Sequence, residues 1–455
     1  MDDTIVALAT PVGIGAIGVI RLSGANALHI AQSVFSKKIL DKESHTLHFG
    51  RVISPSVQPS NEVIDEVVLS LFKEPHSYTG ENVVELSCHG SPYIQQKIIE
   101  LLIHQGARLA MPGEFTLRAF LNGKLDLAQA EAVADLIASD SQHSHRMAME
   151  QMRGGFSTKI KELRQQLIDF ASLIELELDF GEEDVEFADR NHLFLLVSEI
   201  RNWVVTLKES FALGNVLKDG ISTVIAGKPN AGKSTVLNVL LNEERAIVSS
   251  IAGTTRDTIE EAISIHGVLF RFIDTAGIRT SGDEIEGMGI DKTFEKLALA
   301  NLILYIFDAN ITSPQMLQKE IETLQTSGKE IIPVGNKTDL CDPEVLKETF
   351  KAFPQMIYIS GKKGDISELL SLLQSKAAYL NQSSQTLVNN SRHYEALYKS
   401  EEALTDVIDG LNTGISGDLI ALDIRRALFH LGEITGEISS DDLLANIFGR
   451  FCIGK

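Results

Sequence analysis

Apolar and polar positions follow two different periods along this chain, and the changes of period mark its parts. Thr4-Ile5-Val6-Ala7-Leu8, Gly18-Val19-Ile20-Arg21-Leu22, Glu66-Val67-Val68-Leu69-Ser70 and Val83-Val84-Glu85-Leu86 are short β-branched runs separated by turn residues, which predicts strands in an N-terminal α+β domain. From about Leu125 the period lengthens. Leu127, Ala130, Val133, Ala134 and Ile137, and later Leu163, Leu167, Phe170 and Ile174, recur at helical spacing. Strands return near Ile221, alternate with helical stretches to about Leu373, and give way to helices from His393 to Phe448. The pattern predicts a multidomain protein with α/β and purely α parts. An α+β domain covers 1–120, a helical domain is split between 121–215 and 381–455, and a nucleotide-binding α/β unit with a doubly wound, mostly parallel sheet is inserted at 216–380. A Gln/Ser/Asn-rich stretch from Asn381 to Asn390 reads as the linker out of the insert.

Composition narrows the class. At 455 residues the chain exceeds a single hydrophobic core. The 44% hydrophobic and 23% charged content fits a soluble globular protein, and no apolar run is long enough to span a bilayer. Three scattered cysteines exclude a disulfide framework, and Met1-Asp2-Asp3 lacks the basic flank of a secretory signal, so a cytoplasmic location is expected. A net charge of −21 repels polyphosphate on average, which confines any RNA contact to a local or shared surface.

The inserted unit carries the chemistry. The strand Ser222–Ala226 runs into Gly227-Lys228-Pro229-Asn230-Ala231-Gly232-Lys233-Ser234-Thr235, followed by an amphipathic helix through Leu237, Leu240 and Leu241. This is a P-loop in its required context: backbone N–H groups turn inward around phosphates, Lys233 faces the β and γ oxygens, and the Ser234 hydroxyl ligates Mg²⁺. Asp274-Thr275-Ala276-Gly277 ends the strand Leu269–Ile273, placing a carboxylate at the phosphate edge and a glycine beside the γ-phosphate. Asn336-Lys337-Thr338-Asp339 follows the strand Glu330–Val334. There the Asp339 carboxylate accepts two N–H groups from guanine, whereas adenine leaves it unsatisfied. Each short motif alone is as well explained by an exposed polar turn; three in order, each after a strand, specify a GTP site. These motifs resemble those of the translation-factor-like GTPases, with Ser360-Gly361-Lys362 standing where that class usually has Ser-Ala-Lys.

Hydrolysis needs a positioned water, and Ile278, which stands where Ras-like enzymes have glutamine, has no group for it. Asp283, Glu284 and Glu286 follow in a glycine-flanked acidic segment that reads either as a solvated loop or as a switch. The segment Ser249-Ser250-Ile251-Ala252-Gly253-Thr254-Thr255-Arg256-Asp257 offers two threonines to Mg²⁺ and, with Asn230, a site for a monovalent cation in place of an arginine finger.

The P-loop GKPNAGKS, the switch IAGTTRD, the segment DTAGIRTSGDEIEGMGI and the C-terminal FCIGK resemble the MnmE (TrmE) family of tRNA uridine modification GTPases. So do TIVALATPVGIGAIGVIRLSG, SYTGENVVELSCHG and PGEFTLRAFLNGKLDLAQAEAVADLI, which extends the likeness over essentially the whole chain. The resemblance implies a folate-binding, dimerising N-terminal domain, a helical domain and an inserted GTPase domain. It implies potassium at Asn230, Ser249, Ile251 and Thr254, Mg²⁺ at Ser234 and Thr255, and water orientation by Glu286. It assigns a formyl- or methylene-tetrahydrofolate to Arg21, Glu85, Lys124 and Lys455, and a role in the modification to Cys452. The activity it implies is potassium-stimulated GTP hydrolysis by a homodimer which, in a heterotetramer with a flavin-dependent MnmG-type partner, adds a carboxymethylaminomethyl-type group to a tRNA wobble uridine using a folate one-carbon unit.

Bland readings stand beside these. Arg21, Glu85 and Lys124 are equally ordinary ion-pairing residues. Gly13-Ile14-Gly15-Ala16-Ile17-Gly18 fits a dinucleotide fingerprint but runs into a strand rather than a helix, which excludes that site. His143 and His145 share no helix face, which argues against a metal, Cys88-His89 reads as turn structure, and Glu182–Glu186 reads as a solvated acidic surface. The rival functions are a ribosome-assembly GTPase switch, which normally appends a basic RNA-binding domain absent after Leu373, and a folate-dependent transferase with a GTPase regulator.

Overall fold

The computed structural model describes residues 3–54, 62–179, 190–242, 247–248, 261–273, 300–325, 329–381 and 387–454. Its chain divides into two compact units: Met1–Ala134 with Glu150–Ser198 and Glu402–Lys455, and Asp135–Met149 with Glu199–Glu401.

The first unit holds a six-stranded sheet of β1 (Ile5–Leu8), β2 (Ile17–Ser23), β3 (Thr46–Ser54), β4 (Glu62–Phe72), β5 (Val83–His89) and β6 (Arg108–Leu109), in the order β3-β4-β5-β2-β1-β6. All its pairings are antiparallel except β1 with β6. One face is apolar: Ile20, Leu22, Val67, Leu69, Leu71, Val84 and Leu86 pack with Ile30, Val34, Ile98 and Leu102 of the helices Ala27–Val34 and Pro92–His104. β3 has weak alternation around Gly50 and His48, which is why its run escapes a reading by period. Cys88 and His89 correct the turn assignment, since they close β5 with the thiol buried and the His89 ring bonded to Asp65 at 2.7 Å. β2 continues through Ile17–Ser23 as a strand, as the excluded dinucleotide site requires.

Helices complete this unit. Leu163, Leu167, Phe170 and Ile174 are all buried along the helix Gly155–Asp179. The helix Leu127–Ala138 keeps only part of its expected stripe: Leu127 and Ala130 pack on Leu444, Phe448 and Phe451, but Ile137 is 49% exposed because that apolar cluster covers only the first turns.

A buried arginine ties the N-terminus to the sheet's rim. Arg118, 1% exposed, donates to Asp3 (2.7 Å), Glu81 (3.1 Å) and Glu114 (3.1 Å), while Arg108 donates to both Asp3 and Glu114. Arg118 Nε has no hydrogen-bond partner, so the three carboxylates compensate the charge through the two terminal nitrogens of its guanidinium.

The second unit is a seven-stranded sheet of β7 (Ile221–Ala226), β8 (Ile247–Val248), β9 (Glu261–Ile265), β10 (Val268–Phe272), β11 (Leu302–Asp308), β12 (Glu330–Asn336) and β13 (Ile357–Tyr358), in the order β13-β12-β11-β7-β10-β9-β8. The five strands from β13 to β10 run parallel and β9 alone pairs antiparallel, with β10 on one side and β8 on the other, which is the mostly parallel sheet that the sequence predicts. Parallel strands are buried on both faces and so read as continuous apolar runs. β11 does this: Leu302, Leu304 and Ile306 enter one core, and Ile303, Tyr305 and Phe307 pack on the other side. β7 lies between β11 and β10, where the strand order reverses, and its carboxyl end opens on the crevice where such sheets take ligands.

Two stability predictions follow from this packing. Phe270 is fully buried in the larger core of the second unit, so Phe270→Ala is expected to cost about 3–5 kcal/mol, read as a lower urea midpoint. The Arg108 bond holds the Asp3 carboxyl below its usual value, and for Glu114 the bonds from Arg108, Met111 N–H and Arg118 outweigh burial and lower it too. Folding therefore favours the ionised forms: this contribution is complete above the ordinary carboxylate range of about pH 4 and is lost as pH falls through the lowered native values. Acid unfolding followed by circular dichroism is expected to shift to higher pH in Arg108→Gln.

Candidate functional site

The nucleotide pocket is built where β7 ends. Gly227 has φ +142°, and a Cβ there would lie 1.9 Å from the Ile306 carbonyl oxygen; Gly232 has φ +92°, and a Cβ would lie 2.3 Å from Asn336 Nδ2. Only glycine fits either position. Between them Asn230 takes the left-handed conformation at φ +63°, exposed at the tip of the turn, a conformation that asparagine tolerates better than most side chains. Ala231 is buried, and the helix Lys233–Leu241 begins immediately after, with Ser234 half-buried and Thr235 exposed in its first turn.

Lys233 turns back on the loop. Its ammonium donates to the carbonyl oxygens of Gly227 (2.8 Å) and Lys228 (2.9 Å), and burial lowers its pKa. A half-buried cation that meets two neutral carbonyls among the described residues favours the arrival of an anion.

The base side of the pocket is organised by Asn336. This residue ends β12 and is 2% exposed; its Nδ2 donates to Ala231 O (2.8 Å), and its Oδ1 accepts from the N–H groups of Lys337 (2.8 Å) and Gly361 (3.0 Å). The P-loop, the Asn336–Asp339 turn and the Ser360–Lys362 turn are therefore fastened to one another. Ser360 Oγ donates to Asp339 Oδ1 at 2.7 Å, and that bond holds the Asp339 carboxyl below its usual value and so ionised. Gly361 is buried against Val236 and Thr235, and a Cβ there would stand 3.2 Å from Val236 Cγ2, so the usual alanine requires the Val236 side chain to give slightly. Lys362 is exposed beside it.

The structure thus brings together Asn230, Ala231, Gly232, Lys233, Ser234 and Thr235 with Asn336, Lys337, Asp339, Ser360, Gly361 and Lys362. Ser249, Ile251, Thr254, Thr255, Asp274, Thr275, Ala276, Gly277 and Glu286 lie outside the described residues. Two residues absent from the sequence reading belong to the site's rim, Asp308 and Asn310. They follow the apolar run of β11 at the carboxyl edge of the sheet, the one signal by which sequence alone would have found them.

The first unit holds a second candidate site. Arg21 and Glu85 lie directly opposite on β2 and β5 and are joined Nε to Oε1 at 2.8 Å. The Arg21 guanidinium also lies over the rings of Tyr78 (5.5 Å) and Phe115 (5.6 Å) and reaches Gly454 O at 3.4 Å. That last contact places the C-terminal segment at the pair. Gly454, at φ +98°, is pressed so closely on Leu8 that a Cβ would fall 2.2 Å from its carbonyl oxygen, and the Cys452 carbonyl accepts from Gly113 N–H. Cys452 itself is exposed. Lys124 is exposed, donates to Pro75 O at 2.9 Å and runs beside Gly80, so it borders the loop that carries Tyr78. Lys455 lies outside the described residues.

Among the described residues no cluster of histidine, cysteine and acidic side chains has the arrangement of a metal site, and no helix is long and apolar enough to cross a membrane.

Comparison with known proteins agrees with this geometry. Residues 4–124 match the model of the GTP-binding protein TrmE N-terminus, and residues 127–452 match the MnmE helical domain. The tRNA modification GTPase MnmE of Cytophaga hutchinsonii is 55% identical over 100% of this chain and 98% of its own length, and that of Christiangramia forsetii is 55% identical over 100% of both. The one from Bacteroides thetaiotaomicron is 50% identical, again over 100% of both. Among solved structures, the G domain of the T. maritima FeoB iron transporter aligns with 36% of this chain at 20% identity and a TM-score of 0.26, a likeness too slight to carry weight. With two family models covering nearly all its length and relatives at half identity from end to end, the chain belongs to the MnmE family of tRNA modification GTPases.

Proposed function

We propose that this chain is a GTP hydrolase acting in tRNA modification, and that hydrolysis is stimulated by potassium and coupled to a folate-dependent reaction on a wobble uridine. The observation that carries the GTP reading is the joint fastening of P-loop and base loop by Asn336, which sets a phosphate cradle and an ionised Asp339 at fixed separation. At the head of the helix Lys233–Leu241 the first backbone N–H groups suit an anion, and Lys233 would exchange its two carbonyl partners for phosphate oxygens. Asp339, held ionised by Ser360, accepts guanine's N–H groups.

Of the donors we assign to metal ions, Ser234 and Asn230 are among the described residues. Ser234 lies in the first turn of the helix that follows the P-loop, and with Thr255 it would hold Mg²⁺, which would neutralise charge on the β and γ oxygens. Asn230, exposed at the tip of its strained turn, would hold K⁺ together with Ser249, Ile251 and Thr254, supplying positive charge where other GTPases use an arginine. Glu286 is the group we assign to orienting the attacking water.

In the first unit Arg21 and Glu85 fit a tetrahydrofolate derivative. A carboxylate pairs with the amide and amine edge of a pterin, and Arg21 already lies over two aromatic rings with apolar faces for a planar guest. Lys124 and Lys455 suit its carboxylates, and Cys452 stands on the segment that reaches this pair. The assembly we propose is a homodimer that joins a flavin-dependent MnmG-type partner in a heterotetramer, with tRNA as substrate and the cytoplasm as its location.

Gly232→Ala is expected to weaken GTP binding about tenfold, since a left-handed alanine costs roughly 1–2 kcal/mol and its methyl displaces the Asn336 amide. Titration with labelled nucleotide checks this, and unaltered affinity would remove Asn336 from its organising role. GTP turnover is expected to be faster in potassium than in sodium at equal ionic strength; equal rates would dismiss the potassium assignment. Glu286→Ala is expected to keep GTP affinity and lose turnover, and full turnover in that variant transfers water orientation to another group.

A further inference from the structure

Lys337 is held at both ends by residues that none of the nucleotide motifs includes. It takes the left-handed conformation at φ +65° at the turn between β12 and Asp339, where a side chain other than glycine persists only if its surroundings hold it there. Its ammonium donates to Asp308 Oδ2 at 2.7 Å. The other oxygen, Oδ1, accepts from the backbone N–H and the side-chain amide of Asn310, both at 3.0 Å. The same Asn310 amide nitrogen donates to the carbonyl of Lys337 at 3.2 Å, and the Cys341 thiol donates to Asn310 Oδ1, which fixes which way the amide faces. Asp308 is 13% exposed on its side chain, and its bonds outweigh burial and lower its pKa, so the pair is charged and shielded rather than a solvated surface contact.

We infer that Asp308, acting with Asn310, is a positioning residue for base specificity: it fixes Lys337 and thereby the turn that aims Asp339 at guanine. This rests on the reading that Asp339 takes the guanine edge. The bracket acts on the base side, away from the phosphates, so its loss falls on binding and on discrimination between bases rather than on phosphate chemistry. Asp308→Asn keeps the size of the side chain and removes the charge under Lys337.

The test uses the full chain. In Asp308→Asn the dissociation constants for GDP and GTP are expected to rise ~10-fold, as for loss of one shielded charged hydrogen bond. KM rises in step, kcat at saturation changes by less than about twofold, and the circular-dichroism spectrum stays that of the folded protein. The preference for GTP over inosine triphosphate, which lacks the exocyclic amine and so engages one fewer Asp339 bond, should shrink. Asp308→Glu should restore part of it, and Asn310→Ala should shift affinity in the same direction with the Asp308 charge intact. Undiminished GTP affinity in both Asp308→Asn and Asn310→Ala overturns the inference. So does an equal loss for GTP and inosine triphosphate, which is damage to the site as a whole rather than to its aim at the base. Wild-type protein that fails to retain GTP overturns the guanine reading itself, and this inference with it.

Discussion

One buried amide holds the nucleotide site together. Asn336 donates to the P-loop at Ala231 and accepts from Lys337 and Gly361, while its own carbonyl accepts from Ala309 N–H. Four chain segments, at Ala231, Ala309, Asn336 itself and Gly361, thus meet at one residue that is 2% exposed. Each such bond contributes about 1 kcal/mol net, whereas an unpaired buried partner costs about 1–3 kcal/mol, so the four segments keep or lose their geometry together. The close approach of Gly232 to this amide follows, because no side chain can stand between the two loops.

Around that hub, charge is placed by structure rather than by composition. The chain carries −21 overall, yet at the phosphate end of the pocket the partners of Lys233 among the described residues are the carbonyls of Gly227 and Lys228. The net field repels a polyphosphate at a distance, and the local cation and amides hold it at contact. At the base end the same acidic surplus is put to use: Asp339 is kept ionised by Ser360 and Asp308 anchors Lys337.

The first unit uses arginine in two ways. Arg118 is buried among three carboxylates and fastens Asp3, the Glu81 loop and the helix at Glu114. Arg21 stays partly open, paired on one side with Glu85 and stacked over Tyr78 and Phe115. A fully enclosed guanidinium serves structure, and a half-open one keeps donors for a guest. Both readings are available for Arg21 in the sequence; the difference between it and Arg118 is visible only as burial.

The sequence by itself determined three strands of the second sheet, those that lead into the nucleotide motifs, with the P-loop and the base-reading motif, because local periodicity and glycine placement are set by neighbours within a few residues. It marked Arg21 and Glu85 only through likeness to a family, since nothing in their spacing brings together positions 64 residues apart; register between β2 and β5 did that. It misplaced Cys88-His89 and overextended the buried face of the helix at Ile137, because what covers a residue is decided by elements distant in the chain. It was silent on Asp308 and Asn310, whose role depends on the parallel pairing that sets Asp308 opposite Asn336. Local chemistry is written in the order of residues, whereas the partner of each charged group is chosen only when strands align and helices close over them.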